Sequence, residues 1–432
     1  RGLTTAPQFP TASPAPPPAT GSVRTLLRHS TVYSLVPLVQ RVLGIALIPV
    51  YTSKLYTHEN GLLELTDLLL LLLPQLVGSN LLGAMTRFFY ESADERDRLA
   101  VISSTTIILG ALAWLVTGLA LVFEDFLAAF LFSRSDLSRL TADHLLYFRL
   151  AILTVPFSLT TRAGVQYLQI HHKSVASAAF QLAKMLIEVG LKLWFLFGLE
   201  WGVKGFLLSL LLGEALGTLT LTTWVLAKVR PRVVWRVFSP LIGYTLPLIP
   251  VGLCQLGLHQ LDRLLLKYLG PDIPLDDGTE TLADSWIGIY GLGYKIAFLL
   301  HTAVLTSFMQ IWQPWVFSMR ESRERAESSV RIGTWALLAL ASMYVPAILF
   351  GRQAVDLLAG QEEYRAAWRV APWVALAYLF YGAYSISQVT VFVTKRTWPL
   401  VWINLFALLV NVVLNFVLIP RLELVGAALA TL

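Results

Sequence analysis

The sequence predicts an all-α polytopic membrane protein, built as two six-helix lobes in parallel repeat around a central cavity, with the twelfth helix incomplete. Three observations carry this. Of 432 residues, 56% are hydrophobic and 14% charged, and the mean hydropathy is +0.65; a soluble domain carries roughly 25% charged residues. Apolar segments of the length that spans a bilayer, about 18 residues or more, recur along almost the whole chain. The second half also repeats the polar landmarks of the first. A soluble chain this apolar could not cover itself with polar groups, whereas lipid accepts a greasy exterior provided every backbone group is paired inside a helix.

In chain order, residues 1–30 are an expected disordered tail, rich in Pro, Ala, Thr and Ser (Pro14, Pro16, Pro17 and Pro18 are typical) and without the apolar stretch of a secretory signal. It opens on Arg1 rather than Met, as a processed chain or a fragment would. The N-terminal lobe is read over 31–230 and the C-terminal lobe over 236–432. Apolar spans are predicted at 31–52, 62–85, 100–122, 142–161, 175–198, 203–227, 238–260, 286–312, 330–350, 370–393 and 398–419, and a twelfth begins near Val425. The stretch 119–132 could extend the third span. Pro37, Pro74, Pro156, Pro247, Pro250 and Pro346 interrupt spans, which membrane helices tolerate when neighbours re-satisfy the freed carbonyls.

Residues 173–200 align with 396–423 at a constant offset, placing Gln181 on Asn404, Glu188 on Asn411, Lys192 on Asn415 and Glu200 on Glu423. Tyr33-Ser-Leu-Val-Pro37 echoes Tyr244-Thr-Leu-Pro247, Gly61 echoes Gly288, and Glu91-Ser92 echoes Glu321-Ser322. Six spans per half start both halves on the same side, giving a parallel repeat about the membrane normal. The same register leaves the last helix of the second half short. The N-terminal flank and even-numbered loops hold 17 Lys and Arg against 10 in the odd-numbered loops. The positive-inside rule then places the N-terminus in the cytoplasm.

The net charge of +6 serves that asymmetry rather than nucleic acid, because no basic run of the usual length occurs. Cys254 is the single cysteine and excludes an internal disulfide. No GxSxG, Walker A or HExxH pattern is present, so nothing points to an enzyme or to ATP hydrolysis. His171-His172 lacks a third ligand at usable spacing, and the acidic insert with Asp272, Asp276, Asp277, Glu280 and Asp284 lacks EF-hand spacing; no metal site is expected.

Charged residues within spans are costly and mark cavities, relays or paired helix contacts. In the fifth span Lys184, Glu188 and Lys192 stand at i, i+4, i+8 on one face, after Gln181. They form either a self-neutralising ladder or a cavity wall. The second half keeps the stripe as neutral Asn404, Asn411 and Asn415, which predicts a cavity more positive on its N-terminal side. Gln255, His259 and Asp262, followed by Arg263 and Lys267, make one polar face of the seventh span, or else its solvated end. Lys295 in the eighth span snorkels or pairs with Asp262, and Arg41 lies alone in the first span.

Tyr244-Thr-Leu-Pro-Leu-Ile-Pro250, Leu261-Asp-Arg263 and Gly288-Ile-Tyr-Gly-Leu-Gly-Tyr-Lys-Ile296 resemble the oligosaccharide flippases of bacterial polysaccharide export. So do Ile48-Pro-Val-Tyr-Thr52, Gly61-Leu-Leu-Glu-Leu65, Arg87-Phe-Phe-Tyr90, Asn411-Val-Val-Leu-Asn415, Leu418-Ile-Pro-Arg421 and Gly426-Ala-Ala-Leu-Ala-Thr431. The resemblance covers about residues 30–432. That family is a branch of the multidrug/oligosaccharidyl-lipid/polysaccharide exporter superfamily. It implies a V of two six-helix lobes and alternating access. The implied cargo is an undecaprenyl-pyrophosphate-linked oligosaccharide, carried to the outer leaflet of a bacterial inner membrane. By the resemblance, Arg87, Asp262, Arg263 and Lys295 occupy recurrent charged positions. Arg41, Arg87, Lys184, Lys192, Arg263 and Lys295 are the expected substrate-binding cations, and Glu188, His259 and Asp262 the expected coupling or switch residues. Na⁺ or H⁺ would couple transport, with no other cofactor; a polysaccharide polymerase, glycosyltransferases and membrane lipids would be partners. The alternatives are a peptidoglycan-precursor (lipid II) flippase or a multidrug/cation exporter of the same superfamily. A membrane glycan polymerase or ligase is more remote, since the longest outer loop, about 269–285, has no Arg, Lys or His.

Overall fold

A computed structural model describes residues 39, 42–78, 80–92, 94–171, 173–246, 248–273, 281–301, 305, 308–309, 312, 322–393 and 398–432. The Pro-rich tail, Arg41, Pro37, Pro247, His172 and the acidic residues Asp276, Asp277 and Glu280 lie outside the described residues.

Helices follow the apolar spans closely. The first half contains α1 (Val42–Thr52), α2 (Thr57–Val77), α3 (Leu81–Glu91), α4 (Glu95–Val122), α5 (Glu124–Phe132), α6 (Ala142–Ile170), α7 (Ser174–Leu193), α8 (Gly202–Gly217) and α9 (Thr223–Val229). The second contains α10 (Trp235–Thr245), α11 (Leu248–Leu269), α12 (Leu282–His301), α13 (Ser322–Leu349), α14 (Gly351–Leu358), α15 (Ala371–Val393) and α16 (Trp398–Thr431). The ambiguous stretch 119–132 splits: α4 ends at Val122 and α5 is a separate short helix. Among the described residues, five helices are long and apolar enough to cross a membrane, or up to seven when each of two bent pairs counts as one span. α7 carries three charges in 20 residues, which is why its polar stripe weighs against it.

Breaks have local causes. Pro74 leaves α2 short of one backbone donor, and the chain turns at Gly78 (φ 100°), whose N–H still reaches the Pro74 carbonyl. α10 and α11 meet at a 45° bend. α16 doubles back at Glu423 (φ 55°), so its last turns, from Leu424, are the beginning of the twelfth span packed against the eleventh. On α16, Trp402, Phe406, Leu409, Val413 and Phe416 form an exposed apolar stripe at helical spacing. In water that stripe would be a liability; against lipid it is the expected surface. The protein is a multi-pass membrane protein.

Within the first half, α6 packs on α4 and α8, and α7 on α8; within the second, α11 packs on α16, and α15 on α12 and α13. The halves join most extensively where α2 crosses α12. That crossing is made by glycine. A Cβ on Gly61 would lie 2.0 Å from the Asp284 carbonyl oxygen, and one on Gly288 1.9 Å from that of Thr57. The two glycines that echo each other in sequence therefore meet in space, and Asn60 donates to the Gly288 carbonyl at 3.1 Å.

The same end of the molecule carries further ties between the halves. Tyr364 donates its hydroxyl to the carbonyls of Leu55 and Tyr56, both at 3.0 Å, and Thr57 donates to Glu363 at 2.9 Å. Arg139 pairs with Asp272 at 2.6 Å, and Arg134 donates to the Gly270 carbonyl at 2.7 Å. The Arg139 hydrogen bond holds the Asp272 carboxyl below its usual range.

Candidate functional site

Between the halves lies a cavity of ≈ 730 Å³. The first half contributes Glu64 and Asp67 from α2, Arg162 from α6 and Glu214 from α8; the second contributes His259 and Arg263 from α11, Tyr294 and Lys295 from α12, and Tyr378 and Tyr381 from α15.

Glu64 is its centre of charge. Gly291, one turn beyond Gly288, leaves room for this side chain: a Cβ there would sit 2.4 Å from the Glu64 carboxyl carbon. The carboxylate accepts from Arg263 Nε at 2.7 Å and pairs with Lys295 Nζ at 2.5 Å. Glu64 and Arg263 each expose 3% of the side chain, whereas Lys295 exposes 43%. Arg263 also donates to the His259 carbonyl at 2.9 Å and lies 4.5 Å from the ring centre of Tyr294. The cation is thus held in place by carboxylate, carbonyl and aromatic face together.

Asp262 turns away from this cluster. It is fully buried within the second half and accepts from Thr431 at 2.7 Å, Tyr290 at 2.9 Å and Asn415 at 3.0 Å, with Asn411 at 3.4 Å. The side-chain oxygen of Asn415 is buried there without a donor. Among the described residues, no three His, Cys, Asp or Glu gather to hold a metal ion.

The fifth-span stripe forms a third cluster. Lys184 donates to Glu188 at 2.8 Å and to Glu214 of α8 at 2.9 Å. Lys192 lies 4.3 Å from the ring centre of Phe206. Arg87 sits at the far end of α3, bonded to Glu91 at 2.8 Å and stacked on Tyr244, away from the cavity. His259 faces Tyr294 Oη at 3.3 Å and packs on Tyr381.

Several expectations are corrected by this geometry. Asp262 does not pair with Lys295, which reaches Glu64 instead; Arg263, one residue on and about 100° around the helix, faces Glu64 as well. Asn411 and Asn415 do not line the cavity, because they hold Asp262 inside the second half. The first-half wall is not the positive one. Glu64, Asp67 and Glu214 stand there beside Arg162, and the cations that meet at Glu64 come from the second half. Lys267 is no solvated helix end but is buried against Asp284 at 2.5 Å. Sequence reasoning passed over Glu64, Asp67 and Glu214 as functional residues. Their signal was the same one used elsewhere, an ionisable residue inside an apolar span.

The MatE family model matches residues 320–417. Compared by sequence with curated proteins, the chain matches none. Among solved structures, the lipid II flippase MurJ in an inward closed conformation superposes with a TM-score of 0.73 at 13% identity, over 93% of this chain and 84% of that one. An inward-facing multidrug resistance MATE family transporter of the MOP superfamily gives 0.60 at 14%, over 93% and 90%. A MATE protein in complex with MaL6 gives 0.61 at 14%, over 94% and 92%. The fold is that of this exporter superfamily. The MatE match lies within the second half of that fold.

Proposed function

We propose that this protein flips an undecaprenyl-pyrophosphate-linked oligosaccharide from the cytoplasmic to the outer leaflet of a bacterial inner membrane, by alternating access, for polysaccharide export. The observation that carries the reading is the convergence of Arg263 and Lys295 on one carboxylate in the cavity between the halves. Guanidinium and ammonium groups are the groups that recognise phosphate oxygens. Glu64 holds the position a cargo anion would take, keeping the cations charged and aimed while the cavity is empty of cargo. The pyrophosphate exchanges with it, and the polyprenyl tail stays in the bilayer.

The N-terminus lies in the cytoplasm on this reading. Burial of Arg263 and Lys267 removes two of the ten basic residues counted for the odd-numbered loops and sharpens the asymmetry. The glycine crossing of α2 and α12 then seals the outer end. Asp262 is the coupling position, taking up Na⁺ or H⁺. Glycosyltransferases supply the cargo and a polymerase consumes it.

The test is flipping of fluorescent undecaprenyl-pyrophosphoryl oligosaccharide in proteoliposomes by wild type and Arg263→Gln. Wild-type flipping, lost in the variant at equal protein level, supports the reading; flipping that the variant retains sinks it. In cells, a knockout should accumulate lipid-linked oligosaccharide on the inner leaflet. Accumulation of the peptidoglycan precursor instead would assign a lipid II flippase. Asp67 and Glu214 on the same wall favour one other reading, export of organic cations. A change in resistance to cationic drugs on overexpression, with no effect on lipid-linked saccharide, would select it.

A further inference from the structure

We infer that the first half contains a second binding chamber, which takes a neutral, hydroxyl-rich sugar unit of the cargo. This rests on the flippase reading above and adds where the saccharide is read. The chamber measures ≈ 360 Å³ and lies among α6, α7 and α8, near the start of α3. That is toward the low end of small-molecule sites, about 300–1,000 Å³, and suits one sugar unit rather than a whole oligosaccharide. Arg162 and Glu214 line both this chamber and the central cavity, so the two adjoin.

The lining determines the class of ligand. Gln166, Gln169 and Gln181 bring three amides to its wall. Its charges cancel, with Lys184 and Arg162 against Glu188 and Glu214, so neither an anion nor a cation is selected. The pyrophosphate has its own cations at Arg263 and Lys295. An apolar tail would strip the polar groups of their partners. Donors and acceptors side by side without net charge are what hydroxyl and acetamido groups require.

The chamber is built rather than left over. Gly213 and Gly217 of α8 make room for the side chains that line it: a Cβ on Gly213 would meet the Glu188 side chain at 2.2 Å, and one on Gly217 the Thr161 hydroxyl at 2.9 Å and Lys184 at 3.3 Å. Gln166 is fixed by a 2.7 Å hydrogen bond to Thr86, and Lys184 by both glutamates. One group is left over. Glu214 Oε2 is buried and receives no hydrogen bond, although its other oxygen is bound to Lys184. A buried carboxylate oxygen calls for a donor, and a sugar hydroxyl in this chamber supplies one.

The experiment measures binding to the full chain in nanodiscs. The probes are undecaprenyl pyrophosphate, bare or carrying a single glucose, galactose or N-acetylglucosamine. Wild type should bind at least one of the glycosylated lipids about tenfold or more tightly than the bare lipid. Gln166→Leu/Gln181→Leu and the chamber-filling Met185→Trp should each lose that gain while holding the bare lipid within twofold, which also shows that they fold. A sugar gain that survives in both variants overturns the chamber, as does wild type that binds bare and glycosylated lipids alike. Wild type that binds none of the four lipids overturns the flippase reading and the chamber with it.

Discussion

Glu64→Gln tests the centre of the cavity most directly, because it removes one charge with little change in shape. At an effective dielectric of about 20, opposite unit charges 2.7 Å apart attract by roughly 6 kcal/mol. Desolvation of the two groups offsets much of this. What remains measurable is the cost of stranding a buried partner, about 3–5 kcal/mol. Arg263, at 3% exposure, is such a partner. Lys295 is not: at 43% exposure water reaches it from the cavity, and its pair with Glu64 contributes on the order of 1 kcal/mol or less. A double-mutant cycle separates the two. Unfolding is followed in mixed micelles titrated with dodecyl sulfate. Glu64→Gln is combined with Arg263→Gln in one cycle and with Lys295→Met in the other. We expect coupling of about 1.5 kcal/mol or more to Arg263 and less than about 1 kcal/mol to Lys295. Coupling to Arg263 below about 0.5 kcal/mol, the additivity limit for independent sites, would refute the central ion pair. The variant should also bind bare undecaprenyl pyrophosphate more tightly, by roughly tenfold for each 1.4 kcal/mol released, since the cations no longer have an internal anion. Weaker binding would remove Glu64 from the place of the cargo anion while leaving its structural role intact.

Gly288→Ala forces a Cβ to 1.9 Å from the Thr57 carbonyl, so α2 and α12 must part; we expect a loss of about 1–3 kcal/mol in the same unfolding assay, and faster thiol labelling of a cysteine placed at Asn60. Asp262→Asn sets an amide donor among Thr431, Tyr290, Asn411 and Asn415, which already donate to this position. Flipping in proteoliposomes should lose its dependence on the Na⁺ or H⁺ gradient that drives wild type, and a variant still driven by that gradient would exclude Asp262 as the coupling site. Lys267→Met strands Asp284 at 0% exposure and should cost about 3–5 kcal/mol, whereas Lys267→Met/Asp284→Asn should recover most of it. Asp272 is the contrast at the surface. Its carboxyl is held below the usual range by Arg139, so its contribution is present above that range and is lost as pH falls through the lowered value. With 40% and 43% of these side chains exposed, melting of Asp272→Asn at pH 7 should reveal less than about 1 kcal/mol, shrinking further with salt.

The helices were legible because lipid imposes a one-dimensional requirement. A run of apolar residues must be long enough to span, and that can be counted without knowing any neighbour. The repeat was legible for the same reason, and Gly61 and Gly288, matched as echoes, turned out to touch across the seam. The partners of buried charges were not legible, because pairing is set by rotation about the helix axis and by which helix lies opposite. Asp262 and Arg263 are adjacent in sequence yet serve different halves of the problem. Asp262 closes a network within the second half, and Arg263 reaches across to Glu64, 199 residues earlier. Glu64 itself was hidden in an otherwise greasy span. Only Gly291, a residue in the other half, explains how its side chain fits there. The stripe Lys184, Glu188 and Lys192 shows both sides of this limit. Its i, i+4 spacing correctly implied an internal Lys184–Glu188 pair, but nothing in it foretold Glu214, whose arrival from α8 turns a self-neutralising ladder into the wall of a chamber. A polar face kept in one half and neutralised in the other follows from where the first-order charge sits. The second half carries it on the helix opposite the stripe, as Asp262, and two of the three asparagines there, Asn411 and Asn415, satisfy it. The first half carries it on the stripe itself, which leaves that stripe free to face a ligand.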